Sequence, residues 1–298
     1  MNKKFKGTGV AIVTPFHKDG SIDFKALGKL INNLIEKGIT YIVTLGTTGE
    51  SAALSTDEKN AVINYVTEVV EKRVPVVIGV GGNNTTAVLG MLNDLSLDEA
   101  DAILSVCPYY NKPQQNGLYQ HYKTIANNSP LPVILYNVPD RTGVNLKAET
   151  TLQLAHDFKN IIGIKEACKN TEQWIAILKD RPDNFLLISG DDLSTIPMIA
   201  LGGNGVISVT ANAFPKEFSE MVSHCFKGEY KSARKIQYRL MEFTSSLFLE
   251  GSPGGIKASL EVLGMCQNYL RLPNVPVSKS AYNTIKNNLN AVIAQSEV

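Results

Sequence analysis

Lys165 closes an apolar run, Ile161-Ile162-Gly163-Ile164, and Glu166 follows it at once. A lysine at the end of such a run is drawn partly out of water. A desolvated amine is more often neutral, which is the form that attacks a carbonyl carbon. The same residue can be a plain structural charge paired with Glu166 or another strand-end carboxylate, and taken alone that is the commoner role. Tyr136 ends a second run, Val133-Ile134-Leu135. A phenol beside an imine-forming amine can pass protons as the imine forms and breaks, or it can be a core tyrosine with a satisfied hydroxyl. Gly46-Thr47-Thr48-Gly49 sets two hydroxyls between glycines ahead of a helix. That is either a simple loop and cap or a cradle of O–H and N–H donors suited to a carboxylate. It has neither the spacing nor the lysine of a phosphate loop. Arg141, just after Tyr136-Asn137-Val138-Pro139-Asp140, offers a guanidinium that can take a carboxylate bidentately, or it is a solvated loop charge. Lysine, tyrosine, threonine pair and arginine together are what carbonyl chemistry on a keto acid requires.

These residues must be carried to one place, and the chain alternates in a way that does so. Eight short apolar, β-branched runs are expected as strands: Gly9–Thr14, Tyr41–Leu45, Val76–Val80, Ala102–Val106, Val133–Tyr136, Ile162–Lys165, Leu186–Ser189 and Gly205–Ser208. Most are apolar on both faces, as strands of a parallel sheet covered by helices should be. Helical patterns lie between them at Asp23–Lys37, Ser55–Lys72, Thr85–Leu97 and Leu146–Phe158, with Ser55-Thr56-Asp57-Glu58 shaped as a capping box. Strand–helix units repeating every ~20–35 residues predict an α/β fold, a (β/α)₈ TIM barrel, whose active site lies at the C-terminal strand ends. A doubly wound open sheet is the alternative, but it would more often show a glycine fingerprint after its first strand. Gly79-Val80-Gly81-Gly82-Asn83 reads as a strand-to-helix turn. The barrel is expected over residues 1–225. A C-terminal helical region, 226–298, should follow, with Tyr230, Ala233, Leu240, Phe243 and Leu247 on one helix face and further helices at Gly255–Leu263 and Ser278–Ala294.

A formal net charge of +1 disfavours nucleic acid as a partner. No apolar run is long enough for a membrane span, and the basic start of the chain has no apolar stretch behind it. Cys107, Cys168, Cys225 and Cys266 lie far apart without metal-ligand spacing, as free thiols of a cytoplasmic protein without structural metal would.

Several segments in fixed order carry a resemblance. They are Gly46-Thr47-Thr48-Gly49-Glu50, Tyr109-Tyr110-Asn111-Lys112-Pro113, Tyr136-Asn137-Val138-Pro139, Arg141-Thr142-Gly143, Gly163-Ile164-Lys165-Glu166, Ser189-Gly190-Asp191-Asp192 and Gly205-Val206-Ile207-Ser208. From about Gly7 onward the sequence resembles the family of 4-hydroxy-tetrahydrodipicolinate (dihydrodipicolinate) synthases, lyases of the diaminopimelate route to lysine. The resemblance implies that Lys165 forms an imine with pyruvate, whose enamine attacks L-aspartate-4-semialdehyde, with no metal or organic cofactor. It implies that Thr48, Gly190 and the main chain near Ile207 hold the pyruvate, and that Arg141 binds the aldehyde's carboxylate. Tyr136, Thr47 and Tyr110 would form a proton relay, with Tyr110 supplied by a neighbouring subunit of a homotetramer built as a dimer of dimers. Pyruvate lyases such as N-acetylneuraminate lyase and keto-deoxy sugar acid aldolases share the lysine, but they do not usually carry Arg-Thr-Gly at this place.

Where lysine-inhibited members of the family carry histidines and a glutamate, this chain has Thr56, Lys59 and Ala87, although Ser51, Asn83 and Tyr109 remain. A cation at Lys59 and no carboxylate at Ala87 disfavour a ligand bearing an ammonium group. Weak or absent inhibition by L-lysine is therefore expected. The Ser252-Pro253-Gly254-Gly255 turn also departs from the family form and is expected to lie far from the chemistry.

Overall fold

A computed structural model describes residues 2–295. Eight parallel strands close into a barrel in chain order: β1 (Gly7–Ala11), β2 (Tyr41–Thr44), β3 (Val76–Gly79), β4 (Ala102–Val106), β5 (Val133–Asn137), β6 (Ile161–Glu166), β7 (Leu186–Ser189) and β8 (Gly205–Ser208), which pairs back onto β1. The outer layer comprises α1 (Phe24–Glu36), α2 (Thr56–Val70), α3 (Thr85–Asp94), α4 (Gln115–Asn128), a single turn α5 (Pro139–Thr142), α6 (Ala148–Asp157), α7 (Thr171–Asp180), α8 (Thr195–Ala200) and α9 (Pro215–Phe226). Three more helices follow: α10 (Tyr230–Ser246), α11 (Gly254–Val262) and α12 (Lys279–Ala294). The expected strands are present, with ends shifted by up to three residues. The Ser55–Glu58 capping box forms as the sequence predicted, and Asp23 caps α1.

The strands are buried on both faces because two separate apolar layers need them. Outward residues such as Val10, Ile42, Ile78, Leu135 and Ile164 pack beneath the helices. Inward residues such as Val43, Val77, Leu104, Ile134 and Ile188 fill the barrel. At the N-terminal end Tyr41 and Phe5 meet edge to face, ring centroids 5.6 Å apart, and stop the interior. Gly9 makes room for this plug, since a Cβ there would stand 2.3 Å from the Tyr41 ring. A barrel stopped at one end leaves the other, where the loops after the strands converge, as the place for a ligand. The helices after β8 fold onto the same body: Ala233, Leu240, Phe243 and Leu247 of α10 and its end, with Ile256 and Leu260 of α11, join the apolar layer shared with the barrel helices.

Candidate active site

Tyr136 and Lys165 are register partners at the C-terminal ends of β5 and β6. Which face they occupy depends on one irregularity. The pairing slips between Val133 and Ile134, so that Val133 faces Ile161 but Ile134 faces Gly163. With that phase Ile164 joins the outer layer, Lys165 turns to the barrel mouth, and Glu166 turns outward again. Lys165 is only 5% exposed, and its Nζ lies 4.3 Å from the Tyr136 ring centroid. Glu166 is not its counter-ion. It accepts hydrogen bonds from Asn137 Nδ2 (2.9 and 3.0 Å), Gln173 Nε2 (2.8 Å) and the Cys168 amide (2.6 Å) on the helix side of the sheet. Burial pushes its carboxyl up to about 7 despite those N–H donors. Among the described residues no carboxylate stands within ion-pair distance of Lys165. A buried amine without a partner charge is costly to keep, and such costs concentrate where chemistry needs the group.

The threonine loop faces this pair. Two residues with positive φ bracket it, Leu45 (55°) and Glu50 (51°), neither of them glycine. The Leu45 bend is possible because Gly79 has no side chain: a Cβ there would sit 2.1 Å from the Leu45 carbonyl oxygen. Inside the bracket the Gly49 and Glu50 amides donate to the Gly46 and Thr47 carbonyls at 3.1 Å. Thr14 Oγ1 donates to the Gly49 carbonyl at 2.7 Å. Thr47 is exposed and Thr48 buried, and neither hydroxyl has a hydrogen-bond partner among the described residues.

A cavity of about 550 Å³ is lined by Thr47, Thr48, Tyr136, Arg141, Lys165 and Gly190 together, so six of the eight expected site residues share one wall. The Arg141 guanidinium, on α5, carries no hydrogen bond or ion pair among the described residues. Ile207 is buried in β8 opposite Gly9, beneath the mouth and not among the lining residues. Tyr110 is not brought in either. It is 83% exposed, at φ 76°, and lines neither this cavity nor its neighbour. One expectation fails outright: Ser252 is not remote but lines the wall, with Thr244, Ser245 and Phe248, because the segment joining α10 to α11 folds back over the mouth.

A second cavity, about 610 Å³, adjoins the first through Gly46, Thr47, Tyr136 and Arg141. Lys59, Ala87, Ser51, Asn83 and Tyr109 line it, whereas Thr56 does not. Its one acid, Glu50, is already taken by Lys257. Sequence reading passed over that pair, although Lys257 is the single charge in a stretch, Gly254–Leu260, that is buried all round. All four cysteines are free. Among the described residues, no cluster of His, Cys, Asp and Glu suits a metal ion, and no helix is long and apolar enough to cross a membrane.

A lysine amine against a tyrosine ring, at the open end of a (β/α)₈ barrel and opposite free hydroxyls, fits the class of enzymes that work on carbonyls through a lysine imine. The chain belongs to the dihydrodipicolinate synthetase family, whose profile matches residues 4–292. A Parabacteroides distasonis relative described as 4-hydroxy-tetrahydrodipicolinate synthase is 50% identical over 281 residues, 94% of this chain and 95% of its own. Dihydrodipicolinate synthase from Aquifex aeolicus is similar in structure, at 38% identity and TM-score 0.92 over 98% of each chain. So is the Cyanidioschyzon merolae enzyme solved with lysine bound, at 37% identity and TM-score 0.93 over 97% of this chain and 98% of that one.

Proposed function

We propose that this chain condenses pyruvate with L-aspartate-4-semialdehyde to give 4-hydroxy-tetrahydrodipicolinate, acting as a lyase in the diaminopimelate route to lysine. One observation carries the reading: Lys165 Nζ, the Thr47 and Thr48 hydroxyls and the Arg141 guanidinium face one cavity with no partners of their own. Lys165 and Thr48 are buried, and buried polar groups left without partners are kept for a ligand, with the exposed Thr47 and Arg141 at the rim of the same cavity. Lys165 attacks the ketone carbon of pyruvate, water leaves, and the resulting iminium draws off the electrons when a methyl proton departs. Tyr136, beside the amine, holds and returns protons during these steps, with Thr47 and a partner subunit's Tyr110 completing the relay. Thr48, with Gly190 and the main chain at Ile207, holds the pyruvate carboxylate. The enamine carbon then bonds to the aldehyde carbon, and the aldehyde substrate's own amine displaces Lys165, closing the ring. The iminium is itself the electron sink, so the reading calls for neither metal nor organic cofactor. The neighbour that supplies Tyr110 belongs to a homotetramer of two such dimers. Names shared with relatives at up to 50% identity favour the synthase over sialic acid or deoxy sugar acid cleavage.

Arg141 is the specificity residue of this reading. Arg141→Ala is expected to lower kcat/KM for the aldehyde by about 10²-fold, while borohydride trapping of pyruvate on Lys165 continues at close to the wild-type rate. Equal loss of both would remove Arg141 from its assigned role. The reading as a whole is tested by supplying pyruvate and aspartate semialdehyde beside an assay of N-acetylneuraminate cleavage, and turnover of only the latter would reject it.

The second cavity bears on regulation. The Cyanidioschyzon merolae relative was solved with lysine bound; here Lys59 lines the second cavity, and among the described residues the one carboxylate lining it, Glu50, is paired with Lys257. L-lysine should inhibit only weakly or not at all, and a micromolar inhibition constant in a steady-state titration would overturn that expectation.

A further inference from the structure

The threonine loop is held from behind by the C-terminal helices. Glu50, its last residue, is buried and held in a left-handed conformation. A non-glycine residue stays there only when its surroundings hold it. The holder is Lys257 of α11, which is 0% exposed. Its Nζ donates to Glu50 Oε1 at 2.5 Å and to the Tyr269 carbonyl at 2.9 Å, and it lies 4.1 Å from the Phe16 ring centroid. Glu50 Oε2 accepts from the Arg271 amide at 3.1 Å.

The Arg271 side chain continues the same junction, its Cζ 4.6 Å from the Phe16 ring centroid. Its guanidinium donates to the Gly20 carbonyl (2.7 Å), the Ala53 carbonyl (2.9 Å) and both oxygens of Glu58 (2.5 and 2.8 Å). Gly20 belongs to the loop after β1, while Ala53 and Glu58 belong to the turn and helix that follow the threonine loop. Two cations from the C-terminal region therefore reach over 200 residues back in sequence and tie down both the end of the threonine loop and what comes after it. An ion pair with no solvent contact is a poor way to gain stability, since an apolar pair of similar size does as well or better. What it supplies is one fixed geometry, with directed bonds at a strained residue.

We infer that Lys257 and Arg271 are positioning residues for the reaction: acting through Glu50 and the Ser51–Ala53 turn, they hold the threonine loop so that Thr48 receives the pyruvate carboxylate and Thr47 stands beside it. The inference rests on the functional reading above. It predicts a fault centred on pyruvate binding through Thr48, with a smaller loss of turnover through Thr47, because Lys165, Tyr136 and Arg141 stand on other strands and loops.

Lys257→Met, Glu50→Gln and Arg271→Ala are to be compared with wild type, varying each substrate at saturating levels of the other. The expected result is a rise of about tenfold in KM for pyruvate, with kcat and KM for the aldehyde within about threefold of wild type. Borohydride should still label Lys165 at high pyruvate. A fall in kcat at unchanged pyruvate KM, or an equal rise in both KM values, would reduce the junction to a structural role and overturn the inference. Lys257→Met leaves a buried carboxylate unpaired and is the variant most exposed to misfolding. Arg271→Ala, at the protein edge, then decides alone, and an unmoved pyruvate KM there overturns the inference equally. A wild-type enzyme that gives no borohydride adduct sinks the functional reading itself. An adduct in wild type with unmoved KM values in the variants sinks only the positioning role.

Discussion

Lys165→Ala should leave a folded protein that gives no borohydride-stable adduct with pyruvate and turns over at least about 10³-fold more slowly. The size of the effect follows from what the amine does. Without an iminium there is no electron sink for the departing methyl proton of pyruvate, so the barrier to carbon–carbon bond formation loses its main source of relief. Among the described residues, the cavity is lined by one further lysine. Lys169 lines the same cavity, but it is well exposed with the Asp191 carboxylate 3.5 Å away, and it stands beyond the end of β6. The substitution should be mild for the fold, since it removes a buried amine that has no carboxylate within ion-pair distance among the described residues. Thermal unfolding close to wild type, together with mass spectrometry after reduction, separates lost chemistry from lost structure. An adduct of reduced pyruvate on the variant would disprove the assignment.

Mixing two inactive variants should restore activity. Lys165→Ala lacks the amine, and Tyr110→Phe lacks a phenol that its own chain holds 83% exposed and outside both cavities. The backbone at Tyr110 (φ 76°) and at Lys112 (φ 50°) is left-handed, a conformation that costs about 1 kcal/mol or more for a residue with a Cβ. Such strain persists where a side chain must be presented outward. If Tyr110 serves the neighbour's site, a mixed dimer holds one complete site: amine from the Tyr110→Phe chain, phenol from the Lys165→Ala chain. Random pairing makes half the dimers mixed, so about a quarter of wild-type activity should return after subunit exchange. If Tyr110 serves its own chain, every site in a mixed dimer is defective and nothing returns. Activity measured before and after exchange decides between these outcomes.

Much of this protein is open to reading in one dimension. Strands such as Tyr41–Thr44 and Leu186–Ser189 are apolar without alternation because both faces are buried, and that pattern separates them from the amphipathic helices between. Ser55 and Glu58 announce the start of α2 because capping is local. The strand-end lysine and tyrosine could be named because consecutive βα units put consecutive strands side by side, and Tyr136 and Lys165 are indeed partners. By itself, then, the sequence determined the barrel, the order of its strands and the end at which the chemistry must lie, since local periodicity and short connections leave few other arrangements. Only the tertiary structure decided which way the strand-end side chains turn. The slip between β5 and β6 sends Lys165 to the mouth and its neighbour Glu166 to Gln173, and a shift of one residue reverses every side chain on a strand. It likewise decided that Ser252 returns to the mouth and that Lys257 meets Glu50 207 residues away. Contacts of that kind depend on how layers pack over the whole chain, and no periodicity within a helix or strand records them.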